Sequence, residues 1–497
     1  MRSAGILYPI FSLSSNYGIG CLSKEAYQFV DFLKEAGQTY WQILPVGPTG
    51  FGDSPYQPVS NFAGNPYFID LENLMNQGLL RWDELNSLDF GSNNEEVDYG
   101  ALYNNRYIAL EKAYERFNPS EDYYEFVKDE IYWLRDYAIF MTLKKLNQGK
   151  AWINWEDKYR IRTHAMLDEV EREHGHTVRF YYFLQYQFNR QWKYLRDYAN
   201  KQGIKIIGDI PFYCSLDSSD VWAHPEEFLM DENGNPKYVA GTLPDAFSKT
   251  GQLWGNPLYD WEKMKEHHYS WWMVRMVRSS KLFDVIRIDH FHGFSEYCAI
   301  PYGDKTAENG VLKPGPGIEF FKELKLQFPD IELIAEDLGT NTPEKEKLLE
   351  DTGFPGMKVL QFAYTGWNHD SYYVTHNHKK NCVVYTGTHD NATSAEWFNS
   401  INESDKKYVV SYVNSDMYNT GKFVWDFIRE AYRSVGDTCI IPLQDYLVKG
   451  KEARINTPGS TGTNWMWRVP PHFLSKELAK AIYDLADTYG RLPKVKK

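Results

Sequence analysis

The chain has 497 residues, with 43% hydrophobic and 24% charged side chains, 35 Gly and 23 Pro. This is the composition of a large globular protein, and it excludes disordered, collagen-like and coiled-coil chains. Lys and Arg number 54 against 67 Asp and Glu, a formal charge of −13 without a basic run, so no nucleic-acid partner is expected.

In chain order, residues 1–18 hold one Arg and an apolar run interrupted at Pro9, which does not make a signal peptide. No apolar stretch approaches the roughly eighteen residues that cross a membrane, so none is expected as a partner. Ser23 reads as a helix N-cap, and Ala26, Phe29, Val30 and Leu33 recur at helical spacing ahead of Gly37. Residues 40–46 then read as a strand. A helix through 194–198 stops near Gly203 and leads into a strand over 205–210. The same unit returns as helix 271–282 with strand 283–289, helix 318–326 with strand 331–336, and helix 344–351 with strand 357–362. Residues 382–386 and 439–443 read as two more strands.

Helix and strand alternating this often imply a parallel sheet, and strands apolar on both faces imply burial from both sides. The expectation is an α/β chain: a (β/α)8 TIM barrel with large, mainly helical insertions at the C-terminal face of the barrel. We read residues 1–497 as one catalytic domain in which two stretches break the rhythm. Residues of about 75–200 are helical in pattern and rich in Tyr, Trp and charge. Residues of about 212–262, rich in Gly, Pro and Asp, read as a substrate-loop insertion. The five cysteines (Cys21, Cys214, Cys298, Cys382, Cys439) lack CxxC spacing, which fits a reducing compartment, and cytoplasmic is the default.

Polar residues gather where these strands end, and the C-terminal strand ends of a (β/α)8 barrel form its active-site face. The clusters are Asp209, the run 287–293 (RIDHFHG), Glu336-Asp337, Thr388-His389-Asp390-Asn391 and Gln444-Asp445. Carboxylates far apart in sequence would converge there, and a converging pair points to glycosidic-bond chemistry. Alternation puts Arg287 and Asp289 on one face of their strand, where the guanidinium would lower the Asp289 pKa and keep a nucleophile ionised. Glu336 follows Leu333-Ile334-Ala335 with no base nearby, a setting that raises a carboxyl pKa and suits a general acid. A structural ion pair is the alternative for Arg287 and Asp289. His290, His292 and His389 allow a zinc reading, but the adjacent Arg disfavours a cation, and neutral histidines hydrogen-bonding substrate hydroxyls are preferred, with no metal. Phe51 and Tyr56 in a Gly/Pro-dense turn, and Trp254 in the run 251–257, are candidate sugar-stacking rings; residues 456–468 either bind sugar or pack the chain's end.

The ordered set of motifs closely resembles one family. Residues 41–45 (WQILP), 52–57 (GDSPYQ), 63–66 (AGNP), 208–211 (GDIP), 250–259, 287–293, 335–339 (AEDLG), 388–391 (THDN) and 456–468 match the 4-α-glucanotransferases of the amylomaltase, or disproportionating, type within the α-amylase clan. The resemblance implies Asp289 as nucleophile, Glu336 as acid/base and Asp390 as the third carboxylate holding donor-sugar hydroxyls. It places Arg287, His290 and His389 against the same sugar, Asp209 at the third strand end, and Tyr56 and Trp254 in loops lining the groove. It implies no cofactor, and maltooligosaccharides and α-1,4-glucans as donor and acceptor. An α-1,4-glucan hydrolase with the same carboxylates is the alternative. Phe51, where relatives often carry Tyr, and His292, often Arg, depart from the pattern.

Overall fold

Eight strands close into a parallel barrel in the computed structural model, which describes residues 2–50, 52–244, 248–339 and 342–493. In chain order the strands are β1 (Ser3–Leu7), β2 (Tyr40–Gln42), β3 (Lys205–Ile210), β4 (Tyr238–Thr242), β5 (Gln252–Pro257), β6 (Val285–Ile288), β7 (Glu296–Pro301), β8 (Val311–Pro314), β9 (Leu333–Ala335), β10 (Gly356–Val359), β11 (Cys382–Tyr385) and β12 (Thr438–Pro442). The barrel runs β1, β2, β3, β6, β9, β10, β11, β12 and back to β1. Strand alternation sorts the side chains. Leu7, Ile207, Val285, Ile334, Met357, Val359, Val383, Tyr385 and Ile440 form one cluster that fills the interior. Their neighbours Ile6, Trp41, Ile206, Ile286, Ile288, Leu333, Val384 and Ile441 face the helices.

The barrel strand absent from the sequence reading is β1. It pairs Ser3 with Thr438 on one side and Gly5 with Tyr40 on the other, so it closes the ring. At Gly5 an added Cβ would stand 2.6 Å from the Cβ and carbonyl oxygen of Tyr40. Glycine is what lets β1 and β2 approach, and glycine is also what hides β1 as a strand. The strand read over residues 40–46 is regular only through Gln42.

Between β2 and β3 the chain builds helices Tyr99–Glu115, Glu121–Leu146 and His164–Lys201. The last returns the chain to the barrel, buries Phe183, Leu184 and Phe188, and donates Trp192 Nε1 to the Leu282 carbonyl at 2.9 Å. The 212–262 stretch is not loop throughout. It supplies β4 and β5, which join β7 and β8 in an antiparallel sheet of order β5-β4-β7-β8. Trp254 therefore stands on a strand, fixed by its neighbours, where a loop was expected. Among the described residues no helix is long and apolar enough to cross a membrane.

Candidate active site

The ends of β3 and β6 begin the site. Register pairs Asp209 with Arg287, so the two side chains enter the barrel mouth together. Arg287 Nη1 donates to both Asp209 oxygens at 2.7 Å and to Asp289 Oδ1 at 3.1 Å. Arg287 and Asp209 are almost fully buried, at 3% and 0% side-chain exposure, while Asp289 keeps 27%. The guanidinium thus bridges two carboxylates, with its shorter bonds to Asp209.

Tyr56 extends the chain of contacts. Its hydroxyl donates to Asp209 Oδ2 at 2.8 Å, and its ring stacks on His389 with centroids 5.1 Å apart and planes 10° from parallel. Trp465 leans on both rings, at 5.8 Å from Tyr56 and 6.1 Å from His389. His389 Nε2 lies 3.3 Å from Asp390 Oδ2, and Asn456 Nδ2 donates to Asp390 Oδ1 at 2.6 Å. The loop bearing Tyr56 is tied to β5 by a reciprocal amide pair: Gln57 Nε2 donates to Asn256 Oδ1 at 3.0 Å, and Asn256 Nδ2 to Gln57 Oε1 at 3.3 Å.

Glu336 follows β9, next to β6. Its Oε2 accepts the His290 amide at 2.7 Å and its Oε1 the Leu338 amide at 2.9 Å. Apolar walls and other acids were expected around it; two main-chain donors hold it as well. His290 has φ +50, a left-handed conformation uncommon outside glycine, and that turn accompanies its N–H bond to Glu336. The His290 ring meets Trp254 edge-on at 5.0 Å and lies 5.9 Å from Tyr213.

Electrostatics corrects one expectation. Burial first, and then the nearby charges of Asp209, Glu336 and Asp390, raise the Asp289 pKa despite Arg287. The guanidinium is shared with Asp209, so it does not pull Asp289 below the ordinary range. Burial also raises Glu336, against Arg287 and the two main-chain donors. Both carboxyls thus resist ionisation, and the charge of Glu336 adds to the rise at Asp289. For Asp390, burial opposes ionisation, but His389 and the Asn456 amide outweigh it and hold the carboxyl well below its usual range. Burial holds His290 down at about 3, so the ring is neutral at ordinary pH.

The other polar clusters are spent elsewhere. Asp337 accepts the Met357 amide at 2.6 Å and pairs with Lys358 at 3.2 Å. Asp445 accepts from Thr386 Oγ1 and Ser394 Oγ at 2.6 Å, and Gln444 donates to the Ala453 carbonyl. His292 is buried with neither ring nitrogen hydrogen-bonded. Phe51 lies outside the described residues. Among the described residues no group of three or more His, Cys, Asp or Glu is arranged to hold a metal ion. The sequence reading assigned no role to Tyr213 beside His290, and gave none individually to Asn456 or Trp465. The only signal for the last two was their place in the 456–468 motif.

Replacing Arg287 by Leu leaves Asp209 buried without its cation. Losing one partner of a buried pair costs about 3–5 kcal/mol, so denaturant unfolding of Arg287→Leu should show a loss of that order.

A closed parallel barrel with its ionisable cluster at the C-terminal strand ends defines a (β/α)8-barrel enzyme. The family model described as 4-alpha-glucanotransferase matches residues 8–475. A 4-alpha-glucanotransferase from Clostridium butyricum is 46% identical over 489 residues, covering 97% of this chain and 99% of that protein. One from Thermus thermophilus is 41% identical, covering 99% of each chain. The solved structure of an amylomaltase from Streptococcus agalactiae in complex with acarbose superposes with a TM-score of 0.96 at 38% identity, covering 99% of this chain and 100% of that one. The chain belongs to the 4-alpha-glucanotransferase family.

Proposed function

We propose that the protein moves α-1,4-glucan segments between maltooligosaccharides by a retaining double displacement at Asp289 and Glu336. The observation that carries this reading is the continuous contact path from Asp289 through Arg287, Asp209, Tyr56 and His389 to Asp390, with Glu336 entering on the neighbouring strand. It supports one glucosyl unit meeting all three carboxyls. In the first step an Asp289 oxygen attacks the anomeric carbon. The glycosidic bond breaks, its electron pair leaves with the oxygen, and Glu336 protonates that oxygen. In the second, Glu336 removes the proton from an acceptor 4-hydroxyl, whose oxygen attacks the same carbon and expels the Asp289 carboxylate. Two inversions retain the configuration.

The raised pKa values of the two carboxyls support a proton retained in this site. One carboxyl must be ionised and its neighbour protonated. The Arg287 bond to Asp289 supports the charge there, while the two main-chain donors on Glu336 work against its protonation. Asp390, held ionised, faces the positive charge that develops on the sugar ring. Neutral His290 suits hydrogen bonds to hydroxyls, and Tyr56 and Trp254 suit apolar sugar faces. Transfer over hydrolysis requires that the acceptor reach a high effective concentration while water is kept out. The Gln57–Asn256 pair, which fixes the Tyr56 loop against β5, supports a rigid rim of that kind. All five cysteines are free and buried, which supports a reducing, cytoplasmic setting.

Incubation with maltotriose tests the reaction class. Transfer gives glucose together with chains longer than the substrate. A product set holding only shorter sugars would mean a hydrolase on the same carboxylates.

A further inference from the structure

We propose that Asn456 is a positioning residue, acting through Asp390: its side-chain amide orients that carboxylate from a distant segment and keeps it in the hydrogen-bond-accepting form. This deepens the reading above and rests on Asp390 being the carboxylate that faces the sugar.

Asp390 sits at the tip of a tight turn. Asn391 Oδ1 accepts the Thr388 amide and hydroxyl at 2.9 Å each, and the Asn391 amide returns to the Thr388 carbonyl at 3.2 Å. These bonds fix the main chain and leave the Asp390 side chain, 43% exposed, free to turn. Two groups then restrain it. His389 Nε2 stands 3.3 Å from one oxygen, outside a well-directed hydrogen bond, since neither His389 ring nitrogen has such a partner. Asn456 Nδ2 stands 2.6 Å from the other and is the closer and better directed.

Asn456 is itself held firmly. Its amide donates to the His389 carbonyl at 3.1 Å, and its carbonyl accepts Arg454 Nε at 3.0 Å. The Trp465 amide donates to the Ile455 carbonyl at 2.7 Å and closes the segment behind it. Thus the segment that places Trp465 on Tyr56 and His389 also aims a hydrogen-bond donor at Asp390. A carboxamide does not titrate near neutral pH. Its N–H requires a lone pair on Oδ1 and so favours the carboxylate at every pH of interest. The other charged groups acting on Asp390 are His389 on its own turn and Arg287 on β6; Asp289 acts with opposite sign from beyond β6.

The test is a double-mutant cycle with pH profiles on maltotriose. Asn456→Ala is expected to lower kcat by about a hundredfold, the scale of a misplaced reacting group, with a much smaller change in KM. Its acid limb should move little, because that limb belongs to the Asp289–Glu336 pair and His389 and Arg287 still hold Asp390 ionised. Asn456→Asp, near-isosteric and so safer for the fold, should be slower still, because it sets a second acid where Asp390 Oδ1 needs a donor. The Asp390→Asn/Asn456→Ala double variant should be no slower than Asp390→Asn alone. Additive losses in the double variant, or losses confined to KM in both single variants, would overturn the proposal and leave Asn456 a structural residue. If Asp390→Asn itself turns over like the wild type, it is the Asp390 assignment that fails, and the cycle shows this separately.

Discussion

Asp289→Ala should lose on the order of 10⁴-fold or more in transfer rate while keeping its fold, measured as glucose release from maltotriose beside circular dichroism of both proteins. The fold survives because Asp289 is the lesser partner of Arg287. The guanidinium keeps both 2.7 Å bonds to Asp209 when Asp289 is cut back. Stability should in fact rise at alkaline pH. Burial and three like charges raise the Asp289 pKa, so its ionisation works against the folded state. A raised carboxyl contributes stability that is present below its unfolded pKa and lost as pH climbs through the folded one. The isosteric Asp289→Asn should therefore melt above the wild type at about pH 8, with the gap closing near pH 4, the ordinary carboxyl range. An Asp289 variant with wild-type turnover would end the nucleophile assignment.

Glu336→Gln should be comparably slow on maltotriose, and its stability should move the other way. The wild-type carboxylate accepts two main-chain N–H groups, one on each oxygen. A carboxamide has one acceptor oxygen, so one of the His290 and Leu338 amides would face an NH2 group. That leaves a buried donor unsatisfied, at a cost of about 1–3 kcal/mol. The decisive readout is a donor whose leaving group needs no proton, α-glucosyl fluoride. With it Glu336→Gln should recover the first displacement, seen as a burst of fluoride, and Asp289→Ala should not. The wild type should show a bell-shaped pH profile, active while the pair holds one proton. The alkaline limb should be absent in Glu336→Gln with the fluoride. Equal failure of both variants with this donor would refute the division of roles.

The barrel was legible wherever both faces of a strand are buried, because segments such as Lys205–Ile210 and Val285–Ile288 then read as nearly unbroken apolar runs. It was illegible at Ser3–Leu7, whose glycine answers to the neighbouring backbone, and in the antiparallel sheet, where Val311–Pro314 is largely exposed and carries no alternation to read. In the site, the strand-end position drew attention to Asp209, Arg287, Asp289 and Glu336. What a linear reading misses is how donors are divided among acceptors. The spacing of 287 and 289 pointed to each other, yet the shorter bonds of Arg287 cross to Asp209 on another strand, 78 residues away. Asn456 reaches Asp390 across 66 residues, and Glu336 draws on main-chain amides, which any residue type could supply. Such partners are set by how loops fold back over the barrel, not by the residues beside them.

The seam of the barrel has a consequence for how the molecule assembles. Ser3 finds its partner in Thr438, and Arg491, fully buried, donates to the carbonyls of Ser3, Tyr432, Ser434, Gly436 and Asp437 beneath that seam. On the ribosome the first strand must therefore wait for more than four hundred residues before the ring can shut, holding an unpaired edge throughout. Closure becomes a late, long-range event, and crowded or slowed translation would expose that waiting edge to misassembly before the cleft ever exists.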